Sequence, residues 1–196
     1  MTTEREMRMG SSEEALDAWR AIDLGGILLQ LGEDLTREGL QDTPRRLLSV
    51  YVELLEGYSM DPENILDRTF NAEVSGESIQ CVKDIFFTSV CEHHVLPFFG
   101  YINVVYRPRD RVIGLSKITR LIDCFAKRLQ IQERLVDQIA SAIYKAVDPS
   151  GVLVVASAVH LCCKGRGVKR DAMKFVTAAQ FGMVDPEMRE LGKVKE

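Results

Sequence analysis

IQCVKDIFFTSV (residues 79–90) and FFGYINVVY (98–106) are two short runs rich in β-branched and aromatic residues, bounded by Gly, Pro and charged turns. Such runs read as strands. Downstream the apolar period changes. Lys117–Leu129 places apolar residues at 118, 121, 122, 125, 126 and 129, and Gln132–Val147 places them at 135, 136, 139, 140, 143, 146 and 147, which is helical spacing in both. Asp148-Pro149-Ser150-Gly151 is a turn, and Val152–Cys162 and Phe175–Phe181 read as two more strands. Upstream, a polar stretch over 1–12 reads as a flexible tail. A helix is expected from Ser12, with two acids behind the Ser cap and with Gly25-Gly26 interrupting or ending it. A second helix is expected from Thr43, as cap, and Pro44, in the first turn, closing at Gly57. Helices followed by strand, strand, helix, helix, strand, strand imply an α+β fold: an antiparallel four-stranded sheet with two helices on one face. The organisation is then a tail over 1–12, a helical region over 13–75 and the sheet domain over 76–190, with no internal repeat and no low-complexity segment.

The 196 residues carry 25 Lys+Arg against 29 Asp+Glu, so the net charge of −4 disfavours nucleic acid or an anionic membrane as partner, and an anionic ligand must be captured locally. The longest nearly apolar stretch, Gly151–Cys163, is broken by Ser157 and His160 and falls short of the roughly 20 residues a membrane helix needs. MTTEREMRMG leads into no apolar signal core, so a cytoplasmic, reducing compartment is expected. The five cysteines are an odd count without disulfide spacing, which leaves metal binding, catalysis or burial.

All three histidines and three of the five cysteines fall in two short clusters. Cys91-Glu92-His93-His94 has the C-x-x-H spacing that lets two side chains converge on one ion. In His160-Leu161-Cys162-Cys163, at a strand end, the period of two sets His160 and Cys162 on one face and turns Cys163 toward the core. Cys162 is thus the partner for the distant pair. Two thiolates and an imidazole suit zinc. Three protein ligands leave a position for water, as in catalytic sites; a closed site with His160 as fourth ligand is the alternative.

Gly114-Leu115-Ser116-Lys117-Ile118-Thr119-Arg120 opens a helix with Ser116 at the cap, yet Lys117 and Arg120 put cations where the helix dipole disfavours them. An anion seated there resolves the conflict, and a solvated basic turn is the alternative. Arg166 and the Arg45-Arg46 pair can add to the positive patch. Glu133 either caps the following helix or accepts paired N–H donors from a planar heterocycle.

Gly39-Leu40-Gln41-Asp42-Thr43-Pro44-Arg45-Arg46, Thr88-Ser89-Val90-Cys91-Glu92-His93-His94, Val112–Lys117, Gln132-Glu133-Arg134-Leu135 and His160-Leu161-Cys162 stand in the order found in one family. From about Leu31 to Gly182 the chain resembles GTP cyclohydrolase I. The resemblance implies the tunnelling fold (T-fold), in which sheets of several subunits join side by side into a barrel and two rings stack into a homodecamer with active sites between subunits. It implies hydrolysis of GTP at C8, loss of formate, rearrangement of the ribose and closure to 7,8-dihydroneopterin triphosphate. By the same resemblance Cys91, His94 and Cys162 are the Zn2+ ligands and His93 and His160 move protons. Glu133 holds the guanine edge with Gln132 beside it, and Ser116, Lys117, Arg120, Arg166 and Arg46 surround the triphosphate.

Two departures stand out. Ser49 occupies a position where some family members carry a phosphate-binding Lys, and KRDAMKFVTAAQFG (169–182) lacks the family's Thr/Ser-rich run. Rival readings are a paralogous enzyme acting on a related purine nucleotide and a noncatalytic zinc-containing nucleotide-binding protein. Two imidazoles beside the metal favour catalysis. The sequence leaves open which pterin pathway is fed and whether a regulatory partner exists.

Overall fold

A computed structural model describes residues 23–73, 78–170 and 172–194. The expected tail and the helix start at Ser12 lie outside the described residues. The chain divides into two compact units, one ending at Glu53 and one beginning at Leu54.

In the first unit, α1 (Leu24–Gln30) begins at Asp23, whose carboxylate accepts from Gly26 N at 2.8 Å. Gly25 and Gly26 therefore lie in the first turn of a helix rather than ending one. A Cβ on Gly26 would lie 2.2 Å from Asp23 Oδ2, the far end of a side chain that can turn aside. α2 (Thr43–Leu54) runs as expected, but Thr43 is its first residue and its hydroxyl donates back to Gly39 O at 3.4 Å instead of capping. Gly57 does not close this helix; it lies in a 3-10 turn, Glu56–Ser59, that belongs to the second unit.

The second unit continues with α3 (Pro62–Leu66), β1 (Thr69–Asn71), β2 (Gln80–Cys91), β3 (Pro97–Arg107), β4 (Arg111–Ile113), α4 (Leu115–Ala126), β5 (Leu129–Gln130) and α5 (Gln132–Val147). It ends with β6 (Gly151–His160), α6 (Leu161–Lys164), β7 (Phe175–Gly182) and α7 (Pro186–Leu191). The fold is α+β, as the element order implies. The four long strands pair antiparallel in the order β2-β3-β6-β7, and the two-residue β5 adds a parallel pairing at the β2 edge, so the sheet is five-stranded and mixed. β1 and β4 form a separate antiparallel pair.

The helical period explains the core. α4 buries Ile118, Leu121, Ile122 and Phe125, and α5 buries Leu135, Ile139 and Ile143, against Ile102, Val104, Val154 and Ala156 of the sheet. Each such side chain contributes about 1.5–3 kcal/mol relative to exposure. Strand alternation turns Val105 and Leu153 to the other face, where Met188 of α7 covers them. Asn103, fully buried in β3, accepts from the backbone N of Asp84 at 2.8 Å and donates to Lys193 O at 2.8 Å. It thereby satisfies the irregularity between Val82 and Ile85 and ties the C-terminal segment to the sheet.

The expected strand over 152–162 stops at His160. Cys162 and Cys163 sit on the helical turn α6, so they are not on opposite faces of a strand, and their sulfurs are 3.9 Å apart. At Gly100, where β3 and β6 approach, a Cβ would fall 1.9 Å from Ser157 O. Gly100→Ala is expected to cost about 1–3 kcal/mol by forcing the strands apart. Gly39→Ala, with nothing within 4 Å, should be close to neutral. Thermal unfolding of the two variants checks this.

Candidate metal centre and active site

β2 ends at Cys91, and the chain reverses at once. Cys91 N donates to Leu96 O at 2.9 Å and Val95 N to Cys91 O at 2.8 Å, with Val95 in the left-handed region at φ 53°. The turn folds both histidines over the thiol: Nδ1 of His93 and of His94 lie 3.8 and 3.7 Å from Cys91 Sγ. Only His94 also meets the second cluster. Cys91 Sγ, a ring nitrogen of His94 and Cys162 Sγ lie within 4.8 Å of one another, the one such group of His, Cys, Asp and Glu among the described residues.

The donor set fits zinc. Zinc–sulfur bonds of about 2.3 Å and zinc–nitrogen bonds of about 2.0 Å at tetrahedral angles set donors about 3.5–3.8 Å apart, and the Cys91–His94 pair is already at 3.7 Å. Burial above all, then the hydrogen bonds of neighbouring Cys163 and Cys91, pushes the Cys162 thiol up to about 12. A thiol so placed ionises only when a cation compensates it.

The metal turn is held from the β5 side. Glu92 N donates to Gln130 O at 3.1 Å, and the Glu92 carboxylate pairs with the Arg134 guanidinium, which also donates to Gln130 Oε1 at 2.9 Å. The other side is held by register. Phe98 in β3 pairs with Ser89 of β2 and with His160 of β6, so the three side chains form one row across the sheet. The His160 ring stacks on Phe98 at 4.4 Å with 5° between planes, and Phe175 meets it edge-on at 5.8 Å. Ser89 in this row has a fully buried hydroxyl with no hydrogen-bond partner.

His160 is not part of the three-donor group; its Nε2 lies 2.9 Å from Gln132 Oε1. Of the two readings open in the sequence, the geometry favours three protein donors with His160 beside them. Burial holds His160 below the usual histidine range, and Glu133 opposes that shift, so the ring is neutral at neutral pH.

Gln132, expected beside Glu133 at the guanine edge, is 1% exposed, and its amide bonds to His160, to two backbone carbonyls and to Thr177. Glu133 itself is exposed in the first turn of α5, where the capping position is Ile131. Arg166 is exposed just after α6.

The remaining residues are elsewhere. Gly114, not Ser116, is the capping residue of α4; Ser116 and Arg120 are exposed near the helix start, and Lys117 Nζ lies 3.7 Å from Asp67. That end of α4 follows β4, at the Tyr106 end of β3, as the hydrogen bond from Ile113 N to the Tyr106 hydroxyl (3.0 Å) shows. The metal cluster is at the Phe98 end, where β5 pairs with Val90 and Cys91. The expected phosphate residues on α4 thus stand at the far end of that helix from the metal cluster, and its 12 residues at 1.5 Å each span about 18 Å. Arg46 belongs to the first unit, where it pairs with Asp42 at 3.5 Å, and Ser49 donates to Arg45 O at 3.2 Å. The roles of Phe98, Glu92 and Arg134 escaped sequence reading. They depend on strand register and long-range pairing, which single-residue patterns do not carry.

Comparison with known proteins agrees with these findings. The family profile described as GTP cyclohydrolase I matches residues 22–194. The chain is similar to GTP cyclohydrolase 1 of Carboxydothermus hydrogenoformans, 49% identical over 80% of this chain and 81% of that one. It is 46% identical to that of Methylococcus capsulatus over 80% and 84%, and 44% identical to that of Brevibacillus brevis over 82% and 86% of the two chains. Among solved structures, the archaeosine synthase QueF-Like in the apo form resembles 57% of this chain at a TM-score of 0.45 and 20% identity, a likeness too slight to add to the assignment. The motif order, the α+β architecture and these matches together place the chain in the GTP cyclohydrolase I family.

Proposed function

We propose that the protein is a zinc-dependent GTP cyclohydrolase I that opens the guanine imidazole ring at C8, releases formate and yields 7,8-dihydroneopterin triphosphate, feeding pterin synthesis in the cytoplasm. The observation that carries this reading is the group of three donors, Cys91, His94 and Cys162, with a neutral imidazole held next to it and outside it. Zinc held by Cys91, His94 and Cys162 would supply Lewis acidity and make water a stronger acid at neutral pH. The chain's own residues do the rest. His160, kept neutral by burial, is suited to accept a proton, and His93, exposed beside Cys91, is suited to exchange one with solvent. The exposed Glu133 carboxylate accepts the paired N–H donors of the guanine edge. Ser116, Lys117, Arg120, Arg166 and Arg46 bind the triphosphate, and Lys117 exchanges Asp67 for phosphate.

Because the α4 cations stand a helix length from the donor group, one copy does not complete the site. We infer that it forms between copies, the metal end of one meeting the α4 end of another, in a T-fold barrel assembled as a decamer. No helix among the described residues is long and apolar enough to cross a membrane.

Incubating zinc-loaded protein with GTP should release formate and give a pterin that fluoresces on oxidation; absence of formate overturns the assignment. Cys91→Ala, His94→Ala and Cys162→Ala should each lose zinc and activity, whereas Cys163→Ala, outside the donor group, should keep both; metal analysis decides. His93→Ala and His160→Ala should retain zinc while turnover falls about 10²–10⁴-fold. Zinc loss in His160→Ala would make it a fourth ligand. Co-expression of His160→Ala with Lys117→Ala, each inactive alone, should restore about a quarter of wild-type activity if sites pair different ends of two copies. Recovery of none would place both ends in one copy.

A further inference from the structure

The amide of Gln132 is oriented without ambiguity. Its Nε2 lies 3.2 Å from Ala156 O, 2.9 Å from Phe175 O and 3.0 Å from Thr177 Oγ1. Carbonyl oxygens only accept, so the NH2 group must stand there, and the reversed amide would press an oxygen against two others inside a residue that is 1% exposed. The Gln132 oxygen therefore faces His160. At 2.9 Å from His160 Nε2 it accepts a hydrogen bond, and a neutral imidazole has only one N–H to give. The ring is held against rotation by Phe98 on its face and Phe175 on its edge. We propose that Gln132 is a positioning residue that fixes His160 as the Nε2–H tautomer and so leaves Nδ1 as the ring's proton acceptor.

The consequence links three elements. Gln132 is the first residue of α5, Ala156 belongs to β6, and Phe175 and Thr177 to β7. The same amide that closes the helix start onto the sheet decides which imidazole nitrogen is basic. Two carbonyls suffice to hold the NH2 group, so Thr177 is dispensable for the tautomer. The geometric assignment stands on its own, and only the kinetic part of the test rests on the proposed function.

Zinc-loaded protein labelled with 15N in histidine is examined by long-range nitrogen–proton correlation in mildly alkaline buffer. Three histidines in the chain make assignment by single substitution direct. In the wild type His160 should show a protonated Nε2 and an unprotonated Nδ1; the opposite pattern overturns the proposal whether or not any variant folds. Gln132→Met, which keeps length and removes the acceptor, should give mixed tautomers, unchanged zinc content and a kcat lowered roughly 10–100-fold with KM little changed. Thr177→Val should keep the wild-type pattern and rate. A pure Nε2–H tautomer in Gln132→Met would show that Gln132 does not set it. Failure of the wild type to release formate would sink the proposed function while leaving the tautomer measurement to stand or fall by itself.

Discussion

The pairing register of β3 is the constraint from which the site follows. Cys91 closes β2 and Cys162 follows β6, 71 residues later in the chain, and the two strands do not pair with each other. β3 lies between them, hydrogen-bonded to both, with Phe98 opposite Ser89 on one side and His160 on the other. A slip of one residue on either side would send a row of side chains to the opposite face. It would part the thiols and take His160 off the Phe98 ring. The buried residues of α4 and α5 hold that register, because their apolar stripes match one face of the sheet. Packing therefore decides where two sulfurs and an imidazole meet, and the chemistry of the donors decides what they hold.

That dependence explains what the sequence disclosed. The helix read over 117–129, the helix over 132–147 and the four long strands were legible because apolar periods of 3.6 and 2 are local properties, although the first helix runs over 115–126 and Leu129 belongs to β5. The donor set was legible because Cys and His were clustered at ligand spacing. The strand end at His160 was not, since nothing in Leu161-Cys162-Cys163 forbids extension; the chain turns into α6 and brings Cys162 and Cys163 to the same side. Ser116 was misread as a cap because helix starts are ambiguous by one or two residues when Gly precedes them. The surroundings of Gln132 were not legible for a different reason: the first turn of α5 points its side chain into the sheet and that of Glu133 outward, which only the packing of the helix decides.

The distribution of charge along the unit carries a further consequence. Cys91, His94 and Cys162 gather at one end of the sheet with His160, whose ring lies against Phe98 and Phe175. The α4 cations Lys117 and Arg120 stand at the other, Lys117 beside Asp67, whereas Arg166 follows α6 at the metal end. A division of this kind is what the proposed completion of the site between copies requires.

The proposed mechanism requires that three protein donors, and no fourth, hold the metal. X-ray absorption at the zinc edge of the loaded protein tests it most directly. Two sulfurs at about 2.3 Å, one imidazole nitrogen and one further light atom without imidazole scattering are predicted. A fit that requires two imidazoles beside the two sulfurs would place a second histidine on the metal and contradict the open centre on which the mechanism rests.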